Sequence, residues 1–210
     1  FISYALYPDD SNENGKCMRI RQEYFFVSAG CQSILREHIK KCKKATDKPF
    51  GVNVPMLYPN VEEIMNIIVE EGVKIVFTSA GNPKTWTAWL KERGITVIPE
   101  LDIPGHSQYF LTIFGVQMDD EKGMKILDKL FAEFFAEIPA EDCPYIHIGS
   151  DEVRRKMKDA EGFVRHYEQM LARHNRIPIV WDPGIKPSST TVCQIWNEAI
   201  KNSIAESKDY

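Results

Sequence analysis

The chain has 210 residues, 43% hydrophobic and 27% charged, with a formal net charge of −4. That size and balance allow one domain with a substantial core and exclude a disordered or low-complexity chain. Acids and bases are interspersed, which excludes a strongly basic nucleic-acid footprint, and the longest apolar runs, such as Lys74-Ile75-Val76-Phe77, are far too short to span a bilayer. The chain therefore reads as soluble with its compartment open, and its start at Phe1 suits a fragment or a matured form. Its five cysteines (Cys17, Cys31, Cys42, Cys143, Cys193) are odd in number and never spaced C-x-x-C, so they read as reduced packing residues, with no disulfide framework and no zinc site.

Residues 1–23 show no clear period and hold turn formers such as Pro8-Asp9-Asp10-Ser11 and Asn14-Gly15; they read as an irregular segment ahead of a single domain over 24–210. From there β-rich runs alternate with helical patterns. The runs cover 24–29, 50–57, 74–79, 96–102, 145–149, 178–182 and 191–196; the helical spacing covers 34–44, 61–71, 85–93, 121–137 and 160–174. The basic cluster from His38 to Lys44 falls on the first helix and reads as its solvated face. The runs are almost continuously apolar, as strands buried on both faces are. Polar residues gather where each run meets its loop: Asn82-Pro83, Asp102, Asp151-Glu152, Asp182-Pro183 and Asn197-Glu198. This one-ended clustering predicts an α/β chain of the (β/α) TIM-barrel type, and about seven runs where closure takes eight predict an incomplete barrel.

Two motifs concentrate the chemistry. Ile98-Pro99-Glu100-Leu101-Asp102-Ile103-Pro104-Gly105-His106-Ser107 is a strand followed by a Pro-Gly turn that brings a histidine over the sheet's end. Tyr145-Ile146-His147-Ile148-Gly149-Ser150-Asp151-Glu152-Val153 is a strand that ends on two adjacent acids. Asp102, across a turn from His106, is placed to hold the imidazole, which in turn reaches Glu152. Such a carboxylate–imidazole–carboxylate relay tunes a general acid. Neighbouring side chains on a strand end point to opposite sides, so Asp151 and Glu152 divide their labour. Trp181-Asp182 and Trp196, at the ends of later runs, are candidate substrate walls, whereas Trp86 and Trp89 at i, i+3 read as helix packing and His147 as structural support.

These two motifs, P-E-[LI]-D-x-P-G-H-S and H-I-G-x-D-E-V, resemble glycoside hydrolase family 20, the β-N-acetylhexosaminidases, over about residues 96–200. The resemblance implies removal of a terminal N-acetylhexosamine by a substrate-assisted retaining mechanism. Carried over by position, it makes Glu152 the acid, Asp151 the carboxylate that orients the 2-acetamido group, His106 and Asp102 the relay, and Trp181, Asp182 and Trp196 the sugar pocket. Ser150 stands where that family usually has a second glycine, which costs on the order of 1 kcal/mol if the backbone there needs φ > 0.

Residues 34–97, with Gly51-Val52-Asn53 and Ala80-Gly81-Asn82-Pro83, are similar to the nitronate monooxygenase and FMN-dependent enoyl reductase family. The chain thus reads as a chimera joined near 94–98. The first reading implies no cofactor and an N-acetylhexosamine-containing glycan as partner; the second implies FMN near Asn53 and Asn82. A third is an inactive hybrid or fragment, whose unpaired strand edges favour self-association. Neither nucleic acid nor membrane is implied.

Overall fold

The computed structural model describes residues 5–7, 19–21, 32–45, 47, 49–153 and 155–195. Their elements, in chain order, are β1 (Ala5–Tyr7), β2 (Arg19–Arg21), α1 (Gln32–Ala45), β3 (Gly51–Pro55), α2 (Val61–Glu70), β4 (Ile75–Ser79), α3 (Lys84–Lys91) and β5 (Thr96–Pro99), then α4 (Gln108–Phe114), α5 (Glu121–Glu137), β6 (Tyr145–His147), α6 (Ala160–Arg173), β7 (Ile177–Asp182) and β8 (Val192–Ile195). Six of the seven expected runs carry a strand; the run over 24–29 lies outside the described residues, as does Trp196. Two three-residue strands, β1 and β2, occur within the segment read as irregular, and α4 is a helix the pattern did not predict.

The strands form a three-stranded sheet ordered β3-β4-β5 and a five-stranded sheet ordered β1-β2-β8-β7-β6. All pairings are parallel except β1 with β2. This is a mixed α/β fold with parallel strands, and no complete barrel is formed by the described residues. An isolated bridge between Glu100 and His147 links the ends of the two sheets.

Strands β4 to β8 send consecutive residues into different cores, which is why their sequences are apolar without alternation. Val76, Val97 and Val52 face α1–α3 in one core with Leu35, Ile39, Ile68 and Leu90. Val180, Cys193 and Ile146 face α5 and α6 in a second, with Leu127, Phe131, Tyr167 and Leu171. Their neighbours Phe77, Ile98, Ile179 and Val192 turn the other way and pack in a third cluster shared by the two sheets. The helices follow from spacing and caps: Leu35 and Ile39 are i, i+4 on α1, and Asp159 caps α6 by accepting the Gly162 N–H at 2.8 Å. Among the described cysteines, Cys143 is a buried free thiol. No described helix is long and apolar enough to cross a membrane.

Candidate functional site

Beyond β5 the chain stays extended along β6. The Leu101 N–H donates to the His147 carbonyl at 2.8 Å and the Ile103 N–H to the Ile148 carbonyl at 3.0 Å. Leu101 and Ile103 pack into the second core, so the intervening Asp102 and, by the same alternation, Glu100 fall on the opposite side. There Glu100 accepts the Trp181 Nε1–H at 2.9 Å. Asn53, held at 3.0 Å by the Ser79 hydroxyl, also bonds Glu100.

The second motif departs from the expected strand. β6 stops at His147, and Gly149, Ser150 and Glu152 take φ values of +68°, +83° and +45°. This run of left-handed residues folds the acids back over the sheet end, so Asp151 and Glu152 are separated by loop curvature and not by strand alternation. Asp151 is 8% exposed, while the Glu152 side chain keeps 41% of its surface. Two close approaches lock the loop: a Cβ on Gly149 would lie 2.0 Å from Asp102 Oδ1, and one on Gly105 would lie 2.4 Å from the Asp151 carbonyl oxygen.

Ser150 adopts its positive φ with a fully buried hydroxyl that has no hydrogen-bond partner. Replacing it by glycine removes a left-handed penalty of about 1–2 kcal/mol and an unmet hydroxyl worth about 1–3 kcal/mol, against roughly 1 kcal/mol of added chain entropy in the unfolded state. Ser150→Gly is therefore expected to stabilise the chain by about 1–2 kcal/mol in urea unfolding; a destabilised variant would mean that the hydroxyl has a partner the structure does not reveal.

His106 also has a positive φ, +45°, and its Nε2 lies 3.1 Å from Glu152 Oε2. Asp102 takes the Ser150 N–H, while its Oδ1 is buried without a partner, so it does not hydrogen-bond His106 through that atom. Crowded, desolvated carboxyls hold their protons. Burial, reinforced by the charges of Asp102 and Asp151, pushes Glu100 up to about 7. Burial and the Asp151 charge push Asp102 up to about 7, and burial pushes Asp151 up to about 6. His147 is forced down to about 3 by complete burial. Its Nδ1 accepts the Gly149 N–H at 3.0 Å, so its 3.6 Å approach to Glu100 is not an ion pair.

The structure thus brings together Asp102, His106, Asp151 and Glu152. Trp181 lies beside them, tilted on the His147 ring at 4.5 Å between centroids, with its N–H committed to Glu100. Asp182 ends β7, half-buried. Asn53 bonds Ser79 and Glu100, and the Asn82 side chain accepts the Lys84 N–H at 3.0 Å in the turn before α3. A cleft of about 440 Å³ opens beside Glu152 and His106, lined also by Tyr109, Gln117 and Arg155. Sequence reasoning missed Glu100 and Arg155 as members of this neighbourhood. Glu100 was legible, since it stands two residues before Asp102 on one face of an extended segment; Arg155 carried no local signal.

Residues 1–78 match the family model for carbohydrate phosphorylase. Glycogen phosphorylase of Haemophilus influenzae is 40% identical over 75 residues, which are 33% of this chain and 9% of that protein. Maltodextrin phosphorylase of Streptococcus pneumoniae is 56% identical over 78 residues, 35% of this chain and 10% of that protein. The chain thus spans about a tenth of the length of the curated relatives it matches. A FabK mutant from Thermotoga maritima superposes with a TM-score of 0.50 at 17% identity, over 84% of this chain and 56% of that one, a likeness of fold alone.

These matches correct the resemblance drawn from the two motifs. The family model and the glycogen and maltodextrin phosphorylases among the relatives point away from glycoside hydrolases of family 20, and they overturn an N-acetylhexosaminidase activity, the hydrolase class and an N-acetylhexosamine glycan as partner. The similarity of 34–97 to nitronate monooxygenases is likewise replaced where it overlaps the phosphorylase match. The physical reason is that the motifs specify a carboxylate cluster on a sheet end, a geometry that does not determine a reaction or a substrate.

Proposed function

We propose that this chain serves a phosphorylase-type reaction, the transfer of a glycosyl unit from a glucan to inorganic phosphate, and that Glu152 donates the proton. The observation that carries the reading is the 3.1 Å contact between His106 and Glu152 at the edge of the 440 Å³ cleft; the family match over residues 1–78 supports the substrate class. In the step, a phosphate oxygen bonds to the anomeric carbon as the bond from that carbon to the glycosidic oxygen breaks. The departing oxygen takes the Glu152 proton, leaving a sugar phosphate and a shortened glucan.

His106 positions the Glu152 carboxyl, and the buried Asp102 and Asp151 carboxyls back the imidazole. Trp181 backs the cluster and Asp182 sits at its margin. Arg155, which lines the same cleft, is the side chain suited to phosphate; its guanidinium also meets Asp119. No flavin role is assigned to Asn53 or Asn82. The reading takes the two sheets as one wall of an open (β/α) barrel. It is supported by the sequential parallel order from β3 to β8, the Glu100–His147 bridge and the shared inner cluster.

The test is phosphate-dependent release of glucose 1-phosphate from maltodextrin. Glu152→Gln is expected to lower turnover by about 10²–10⁴-fold, the usual worth of a positioned proton donor. Absence of phosphate-dependent release by the parent chain, or an undiminished rate in the variant, overturns the assignment.

A further inference from the structure

We propose that Asp102, His106 and Asp151 form a binding site for one divalent metal cation, with one imidazole nitrogen and two carboxylate oxygens as ligands. One ligand atom from each residue lies within 4.8 Å of the other two. Two donors on opposite sides of an ion held at about 2.1–2.4 Å stand at most about 4.2–4.8 Å apart, so the three atoms can share an ion with little movement.

A second observation points to a ligand. Asp151 is 8% exposed, and its Oδ1 is shut off from solvent with no hydrogen-bond partner; Asp102 Oδ1 is in the same condition. Buried carboxyl oxygens that accept nothing are costly, and the Glu152 carboxyl crowds both of these from the open side. Arg155 is already met by Asp119. A cation within the cluster supplies what both oxygens lack. The contact of Glu152 with Nε2 steadies the imidazole, as carboxylates do around metal-bound histidines.

A mixed nitrogen and oxygen set suits Zn²⁺ or Mn²⁺ better than cations that take oxygen alone, and three protein ligands leave coordination positions open. The binding proposal stands on this geometry. Its consequence rests on the reading above: a bound dication reverses the sign of an acid-lined pole and makes it hospitable to phosphate, with Glu152 outside the ligand set and free to donate its proton.

The experiment is isothermal titration calorimetry of the chelator-treated full chain with ZnCl₂ and, separately, with MnCl₂. Saturable binding at one equivalent is expected with at least one of the two, weakened at least about 10-fold by Asp151→Asn and by His106→Asn. The His106 side chain is 51% exposed, and asparagine tolerates its positive φ, so this variant remains informative if Asp151→Asn fails to fold. No saturable binding with either metal, or undiminished affinity in the folded variants, overturns the proposal. The readout is heat and not turnover. Metal binding without phosphorolysis sinks the functional reading alone, and phosphorolysis without metal binding sinks the cation alone.

Discussion

Lowering the pH from 8 to 5, in buffer holding a chelator, is expected to raise the unfolding temperature of this chain. Glu100 is pushed from 4.5 up to about 7, Asp102 from 3.8 to about 7 and Asp151 from 3.8 to about 6. A group whose pKa is higher folded than unfolded binds more protons in the folded state between the two values. Its stability is complete below the unfolded value and lost as pH rises through the folded one. The window therefore runs from about pH 4 to pH 7. His147, forced down to about 3, acts oppositely, weakening the fold as pH falls below 6.5, but it is one group against three.

At about 1.4 kcal/mol per pKa unit, Glu100 alone corresponds to roughly 3 kcal/mol lost at pH 8. Glu100→Gln removes that charge while keeping an oxygen for the Trp181 N–H. The variant should melt about 5 °C or more above the parent at pH 8 and show a flatter pH profile. A parent chain that melts lower at pH 5 than at pH 8, or a variant with no gain at pH 8, would mean that Glu100 is ionised and paired.

Gly149→Ala is expected to abolish the site and to destabilise the five-stranded sheet beneath it, whereas Gly72→Ala is expected to be mild. Both glycines have φ +68°, so both substitutions carry the same left-handed penalty of about 1–2 kcal/mol. A Cβ on Gly72 meets nothing within 4 Å, but on Gly149 it lies 2.0 Å from Asp102 Oδ1 and 2.9 Å from the Asp102 Cα. The second of these atoms is backbone, fixed by the flanking Leu101 and Ile103 bonds to β6, so relief requires the two motifs to separate. Overpacking of this kind adds about 1–3 kcal/mol or more. Urea unfolding of the two variants isolates the contact; equal losses would show that Asp102 does not pack on Gly149.

Much of the fold was legible because it rests on local periodicity. The apolar spacing of 121–137 gave α5 its bounds, and the unbroken apolar runs of 74–79 and 178–182 announced strands with a core on each face, as Val76 against Phe77 and Val180 against Ile179 bear out. α4 was not legible, since its seven residues leave Tyr109, Leu111 and Ile113 exposed and so show no buried stripe. The motif residues were recognisable as a cluster, yet their substrate class was misread. The acids of H-I-G-S-D-E-V describe a geometry, and a carboxylate cluster of this kind does not specify a substrate.

By itself, the sequence determined the succession of parallel strands and helices from β3 to β8, the helix faces and the placing of Asp102, Asp151 and Glu152 just beyond their strands, because each depends on the period of a short segment and on which strand end a loop follows. Only the tertiary structure decided that Asp151 is buried while Glu152 is exposed, that Trp181 spends its N–H on Glu100 and that His147 is neutral. Those outcomes depend on left-handed backbone at 149, 150 and 152, on desolvation and on a hydrogen bond between residues 81 apart in the chain, none of which leaves a local trace in sequence.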